Sequence, residues 1–472
     1  MEQQNSKSEK YRDELATVTK DGDRIWLYPK KPSGRFYRAR TIVSIFLLAF
    51  LLAAPFVKIN GHQFVLLNFL GRNFILFGIP FSPHDFHLFV LAMISTIVGV
   101  FLFTVVYGRI FCGWICPQTI FMEMVFRKIE YLIEGDSNRQ RALANSPWNS
   151  SKLFKITLKH TVFFAIAFII SNVFLAYIIG GDELLKIIVD PPSEHLAGLF
   201  GIIVFSGIFY FVFAKFREQV CTLVCPYGRL QGVMLDQNSI VIAYDYLRGE
   251  PRGKIKKNNS EVLKADCVDC NLCVDVCPTG IDIRNGTQLE CVNCTACIDA
   301  CDNVMDKIKK PKGLIRYASK NEIENIVGSI FTPRAIGYTV VLFIVIVLTT
   351  VLLMNRTDLE LTILRTPGIL YQEQPDNKIS NLYDVKIVNK TFYALPAELE
   401  LMNFNGEIKL IGSDLHVEPQ GVAQGKFLVI LFKEDIVQLN TKIEIAVKSN
   451  GKIIDLISTS FLGKVERKGT AQ

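Results

Sequence analysis

Eight of the twelve cysteines fall in two runs of one spacing. Cys267, Cys270, Cys273 and Cys277 are separated by two, two and three residues, and Pro278 follows. Cys291, Cys294, Cys297 and Cys301 repeat the pattern. Three thiolates on one tight loop suit three corners of a cubane, and the fourth must come from elsewhere. In proteins with two such clusters the last cysteine of each run serves the other cluster. The spacing therefore predicts one 4Fe–4S cluster on Cys267, Cys270, Cys273 and Cys301. It predicts a second on Cys291, Cys294, Cys297 and Cys277. Structural zinc uses paired C-x2-C motifs and rarely sets three cysteines at successive two-residue gaps, twice over. Disulfides do not suit a segment facing the reducing cytoplasm. Asp302 stands where proline would end the second run. Large apolar residues are few between Ala265 and Ala300, so cluster binding is expected to drive much of this segment's folding.

The other four cysteines form two pairs, Cys112/Cys116 and Cys221/Cys225, each followed by proline. On a helix, positions four apart share a face. Pro117 and Pro226 suit the first turn of a new helix, whose positive end favours thiolate on the cysteine before it. Arg109, Lys215, Arg217 and Arg229 add positive charge nearby. Thiolates at a membrane face suit soft metals, and Cu(I) above all. Burial as small apolar side chains is the plainer account of either pair. A third account has all four thiols converge on one site. The histidines offer less. His84 and His87 fall at one end of an apolar run and His160 at the start of another, so no facing pair is placed to hold a haem. His84 with His87 is a weaker candidate for an outer-face metal.

The elements that carry these residues are mostly apolar. Of the 472 residues, 50% are hydrophobic. Five runs approach the roughly 20 residues that cross a bilayer: Thr41–Val57, Leu88–Val106, Thr161–Ile179, Ala197–Ala214 and Ile336–Met354. The first lies too far from Met1, behind too many charges, to be a cleaved leader. The net charge of +7 reads as orientation and not as a nucleic-acid surface. Basic residues crowd the stretch before the first run and the segments after the second and fourth, while 58–87 holds only Lys58 and Arg72. Basic loops stay in the cytoplasm. The N-terminus and the cysteine-rich segment are thus expected inside, and the C-terminal part outside.

Two successive hairpins of apolar runs each end in Cys-x-x-x-Cys-Pro. Repeats of one direction imply a pseudo-two-fold axis along the membrane normal. The stretch Phe64–Phe81, broken by Gly71, Arg72 and Asn73, reads as interfacial or partly inserted. The expected fold is a multi-domain membrane protein of five transmembrane helices, a two-cluster ferredoxin-like α+β segment and a C-terminal immunoglobulin-like β-sandwich. The expected divisions are 1–40 as a basic lead, 41–230 as a four-helix core, 231–334 as the cysteine-rich region, 335–355 as a fifth helix and 356–472 as the sandwich. Alternating runs at Asp384–Val388, Ala397–Leu401, Lys426–Leu431 and Lys442–Val447 support the sandwich, as does a hairpin turn at Ser449-Asn450-Gly451-Lys452. That part has no cysteine and no catalytic constellation.

Several longer motifs go beyond the spacing. They are Tyr28-Pro-Lys-Lys-Pro-Ser-Gly34, Phe111-Cys-Gly-Trp-Ile-Cys-Pro-Gln-Thr119, Cys225-Pro-Tyr-Gly-Arg-Leu-Gln231, Asp245-Tyr-Leu-Arg-Gly-Glu-Pro-Arg-Gly253, Cys301-Asp-Asn-Val-Met-Asp-Lys307 and Lys310-Pro-Lys-Gly-Leu-Ile-Arg-Tyr317. With them nearly the whole chain resembles the cytochrome c oxidase accessory protein family, called CcoG, FixG or RdxA. Its membrane core is similar to the NapH and NosR ferredoxins. The resemblance implies a bacterial inner-membrane protein that reduces Cu(II) to Cu(I) for assembly of a cbb3-type oxidase. Its partners would be that oxidase or its copper chaperones, and an unidentified electron donor. The same resemblance accounts for Asp302 and implies the immunoglobulin-like C-terminus. Cys112, Cys116, Cys221 and Cys225 would be the catalytic, copper-handling thiols. Two other readings stay open on the sequence: a quinol-linked electron conduit, and a non-enzymatic assembly scaffold.

Overall fold

The computed structural model describes residues 16–463, apart from residues 20, 22, 70–72, 82–84, 254–264, 325–331, 369, 413–414, 437 and 450. The chain forms two compact units, Met1–Phe56 with Leu91–Val347, and Val57–Val90 with Leu348–Gln472. Among the described residues, five helices are long and apolar enough to cross a membrane: Arg35–Ala53, Phe86–Tyr107, Ser150–Ile179, Pro192–Phe216 and Pro333–Met354. Their flanks carry large exposed apolar side chains, with Phe46, Phe200 and Phe343 70%, 71% and 67% exposed. Water would not leave such faces bare, whereas lipid covers them. The chain is a membrane protein.

Helix ends lie outside the apolar runs because polar groups set them. The first helix starts at Arg35, where the Asp299 carboxylate accepts from the N–H groups of Phe36 (3.1 Å) and Tyr37 (2.8 Å). A carboxylate at that end meets both the free donors and the positive dipole. Gly34 permits the approach, since a Cβ there would overlap Asp299. The third helix starts at Ser150, where the Asn149 side chain accepts from the Lys152 N–H. It stops at Gly180, whose φ of 99° favours glycine.

Inside the first unit the helices pack through aromatic rings. Phe126 stacks on Phe213 and meets Phe163 edge-on, each at 4.8 Å between ring centres. Beside this core lies a group of buried charges. Arg217 donates to both Glu130 oxygens (3.0 and 2.8 Å), and Glu218 lies 3.0 Å from Arg24 and 3.6 Å from Arg127. The basic lead is therefore fastened to the core through Arg24.

The cysteine-rich segment is framed by antiparallel strands Val241–Tyr244 and Ile315–Ala318 and by the helix Ala296–Lys307. Ile242, Tyr244, Ile298, Met305, Leu314 and Ile315 form its core together with Cys267, Cys273 and Cys297. Most of these apolar residues lie outside 265–300. The flanking strands thus supply a core that the cysteine loops lack.

In the second unit, strands 406–411, 422–432, 378–389 and 359–365 make one sheet in that order, with 372–374 paired to 378–380. Strands 398–401, 440–449 and 452–462 make another. Alternate residues bury Tyr383, Val385, Phe427, Val429, Ile443, Ile445 and Phe461 in one core, as a sandwich requires. Tyr383 stacks on Phe427 and donates to the Ser460 carbonyl at 2.8 Å. The expected hairpin turn falls partly outside the described residues, at Asn450. The stretch read as interfacial holds antiparallel strands Val65–Asn68, Asn73–Leu76 and Ile79–Phe81, and its expected break at Gly71 and Arg72 lies outside the described residues. His62 stacks on Phe392 at 3.7 Å, so this loop folds onto the strand unit.

Candidate iron–sulfur and thiol site

Both cysteine runs turn through the same backbone. Asp269 and Asn271 in the first loop have φ of 50° and 57°, and Asn293 and Thr295, at the matching places in the second, have 52° and 64°. Asp and Asn tolerate this region, but a β-branched residue there is strained. Thr295 is held by burial and by its hydroxyl donating to the Cys294 carbonyl at 2.6 Å. Turns of this kind form concavities suited to anions.

Each loop wraps a cavity. One is lined by Cys267, Cys270, Cys273 and Cys301 with Tyr244, Leu272, Met305 and Ile315, and by Asn271 and Arg284. The other is lined by Cys277, Cys291, Cys294 and Cys297, again by Cys273, by Thr279 and by apolar residues such as Ile242 and Val292. Sulfur donors in a largely apolar wall fit iron–sulfur clusters, and Cys273 touches both cavities. Burial pushes the Cys273 and Cys301 thiols up to about 12, so metal binding must displace their protons.

The two loops are braced differently. Arg284 holds the first, donating to Asp269 and Asn271 at 2.7 Å each and to Asp282 at 2.8 Å. The second is braced by the membrane core. Arg109, only 5% exposed, donates to the carbonyls of Leu289, Cys291 and Gly228. Arg40 donates to the carbonyls of Gly113 and Cys294 at 2.9 Å each. Tyr317 donates to the Asn293 carbonyl at 3.4 Å and accepts from Trp114. A Cβ at Gly113 would lie 2.5 Å from the Asn293 oxygen, so glycine there permits backbone contact. Sequence reasoning named Arg109 only as nearby charge, counted Arg40 only among the basic residues of the lead, and passed over Asp299 and Gly113. Of the four, only Gly113 lies inside one of the longer motifs, Phe111–Thr119.

The membrane-face pairs share a geometry. Cys112 sits in the helix Ile110–Trp114 and Cys221 in the π-turn Val220–Val224. Cys116 and Cys225 are extended caps, each before a proline that opens the next helix. The Cys116 N–H donates to Phe111 and the Cys225 N–H to Val220, both five residues back. Cys112 and Cys221 pack against the cluster formed by Val276, Val292, Cys294 and Ala296. Burial pushes both of these thiols up to about 12, against the pull of Arg109. Of the cations expected beside the pairs, Arg217 is turned away into its ion pair with Glu130. Among the described residues no three cysteine sulfurs lie within 4.8 Å of one another; the one group of three that does is Asp190, Glu194 and His195. His84 lies outside the described residues. His160 accepts or donates at 2.8 Å to the Tyr210 hydroxyl.

Comparison with known proteins agrees with this anatomy. A family model for a 4Fe–4S dicluster domain matches residues 216–320. One for the Ig-like fold at the C-terminus of FixG matches residues 349–464. A third, for a 4Fe–4S binding domain, matches residues 89–135 and so takes in Cys112 and Cys116. Protein RdxA of Cereibacter sphaeroides is 35% identical over 381 residues, 77% of this chain and 79% of its own. Protein RdxB of the same organism is 36% identical over 385 residues, again 77% and 79%. The nitrogen fixation protein FixG of Rhizobium meliloti is 33% identical over 405 residues, 77% of this chain and 76% of its own. Sequence pattern, cavities and matches together make this an iron–sulfur electron-transfer protein.

Proposed function

The chain belongs to the FixG/RdxA family, and from that premise we propose that it passes single electrons from a cytoplasmic donor to cupric ion at the membrane face. Cuprous ion is the product, destined for a cbb3-type oxidase or its copper chaperones. In this reading the chain lies in the bacterial inner membrane with its lead and cysteine segment inside and its sandwich outside. The basic loops support that orientation. Copper and the oxidase come from the family resemblance.

The observation that carries the electron path is the contact between cavities. Cys267, Cys270, Cys273 and Cys301 would hold one cluster and Cys277, Cys291, Cys294 and Cys297 the other, with Cys273 on both walls. When bound, each cluster stores and releases one electron at a time. Arg284 fixes the first loop, while Arg40 and Arg109 fix the second against Cys112 and Cys221. Largely apolar walls keep water from most of the sulfurs, Cys270 being exposed. Electrons leave at the face that carries Cys112, Cys116, Cys221 and Cys225. Each cupric ion gains one electron and the donor loses one, so no bond forms and no proton need move.

The test is anaerobic reduction of the purified chain with dithionite, removal of excess reductant and mixing with Cu(II) and a Cu(I)-specific chelator. One cuprous ion should appear for each electron stored, as the cluster absorbance returns. Reoxidation by quinone alone, with copper inert, would favour the quinol-linked conduit and end the copper reading.

A further inference from the structure

We propose that Cys112, Cys116, Cys221 and Cys225 together hold a third iron–sulfur cluster of cubane type, placed between the two membrane hairpins. This rests on the reading of the two ferredoxin cavities as cluster sites and extends the path by one carrier.

The four thiols form one group. The electrostatic surroundings of Cys112 include Cys116, Cys221 and Cys225, and those of Cys221 include Cys116 and Cys225. Each repeat contributes two half-buried cysteines, the second of them a cap whose N–H donates five residues back. Two equal halves therefore face one centre.

The spacing argues against one ion held by all of them. Thiolates round a single tetrahedral metal, with metal–sulfur bonds of about 2.3 Å, must lie within about 4 Å of one another. No three of these sulfurs lie within 4.8 Å. Nor do any three of the cysteines that line the ferredoxin cavities. A four-iron cube takes its thiolates at separate corners and so needs the wider spacing.

The charges and polar groups point the same way. Arg109 is buried, donates only to backbone carbonyls and makes no ion pair with a carboxylate among the described residues. Its electrostatic neighbours are the sulfurs of Cys112, Cys291 and Cys221, followed by the carboxylate of Glu290. A buried guanidinium needs an anion; thiolates bound to iron on both sides would supply it. Thr119 is 5% exposed, its hydroxyl has no hydrogen-bond partner, and it is among the groups that act electrostatically on Cys221. Gln231, fully buried, reaches Cys112 at 4.0 Å. Cys112 and Cys221 thus each have a polar side chain of the other repeat nearby. The family match over residues 89–135 covers only the first pair; the fold supplies the second. Because Cys112 and Cys221 pack on the cluster that contains Val292 and Cys294 of the second loop, the third site would adjoin the second.

The test is iron and acid-labile sulfide per chain in full-length protein, purified or reconstituted anaerobically in detergent, with Mössbauer and EPR spectra. Three cubanes give about twelve irons, and two give about eight. We expect about twelve in the unsubstituted chain. C116S/C225S should hold about eight, with one set of signals missing and the other two unchanged. About eight irons in the unsubstituted chain overturns the third cluster and leaves the two-cavity reading standing. An iron-free chain, or zinc at these sulfurs, overturns both. The count in the unsubstituted chain decides even if the double variant fails to accumulate.

Discussion

The Arg40 guanidinium donates to the Cys294 carbonyl at 2.9 Å, across 254 residues of sequence. The same side chain holds the Gly113 carbonyl at 2.9 Å, so one buried arginine ties the first membrane helix to both cysteine motifs. Replacing it with methionine leaves two carbonyls without their charged donor. Charge-assisted hydrogen bonds contribute about 1.5–3 kcal/mol each. Arg40→Met should raise hydrogen exchange in residues 291–297 and speed iron release to a chelator. Arg40→Lys should restore only part of the protection, since an ammonium cannot bridge as a planar fork does. Unchanged exchange in the methionine variant would show that the second loop braces itself.

Gly113 lies under the backbone of the second loop, and a methyl there would meet oxygens of Asn293 and Val292 at 2.5 and 2.6 Å. Backbone on both sides cannot yield by rotation. Overpacking of this kind costs about 1–3 kcal/mol. Gly113→Ala should fold and keep its iron, but separate the thiol pairs from the second cavity. The readout is reoxidation of reduced protein by Cu(II), expected to slow at least tenfold at equal cluster content. A wild-type rate would mean that electrons do not pass there.

Arg284 donates to Asp269 and Asn271, both with positive φ, and lines the first cavity. Arg284→Ala frees the left-handed turns that hold Cys267, Cys270 and Cys273. Iron content should fall by about four per chain, with the second cavity's EPR signal intact. Loss of both signals together would show that the loops fold as one unit.

Asp85 offers a pH-dependent contact in the second unit. It accepts from Lys390 at 2.7 Å and Arg356 at 2.9 Å and is 2% exposed. Burial pushes its carboxyl up, but the two hydrogen-bonded cations outweigh that and hold it below the ordinary value. The folded form thus binds a proton less readily than the unfolded one. The stabilisation is full above the unfolded value of about 3.9 and is lost as pH falls through the lowered folded value. Breaking a buried pair costs about 3–5 kcal/mol. Asp85→Asn should lower the thermal unfolding midpoint near pH 7 and flatten its fall below pH 5. An equal acid slope in both proteins would assign that slope to other carboxylates.

The cysteine spacing alone determined much of the chemistry. Ligand geometry round a cubane leaves few workable separations, so eight cysteines spaced in two matched runs already specified two loops and an interlocked assignment. The apolar runs likewise determined five helices, because bilayer thickness sets their length, and the alternating strands marked the sandwich. Local pattern could not show that Ile242, Leu314 and Ile315 build the core around the cysteine loops, or that residues 57–90 fold with the C-terminal strands. Those contacts join segments far apart in the chain. Nor could it show how the four membrane thiols stand to one another. Each pair has a fixed internal spacing, but the distance between pairs depends on how two hairpins pack, and that depends on Gly113, Arg109 and the aromatic rings between the helices. Tertiary packing therefore decided which segments those thiols face.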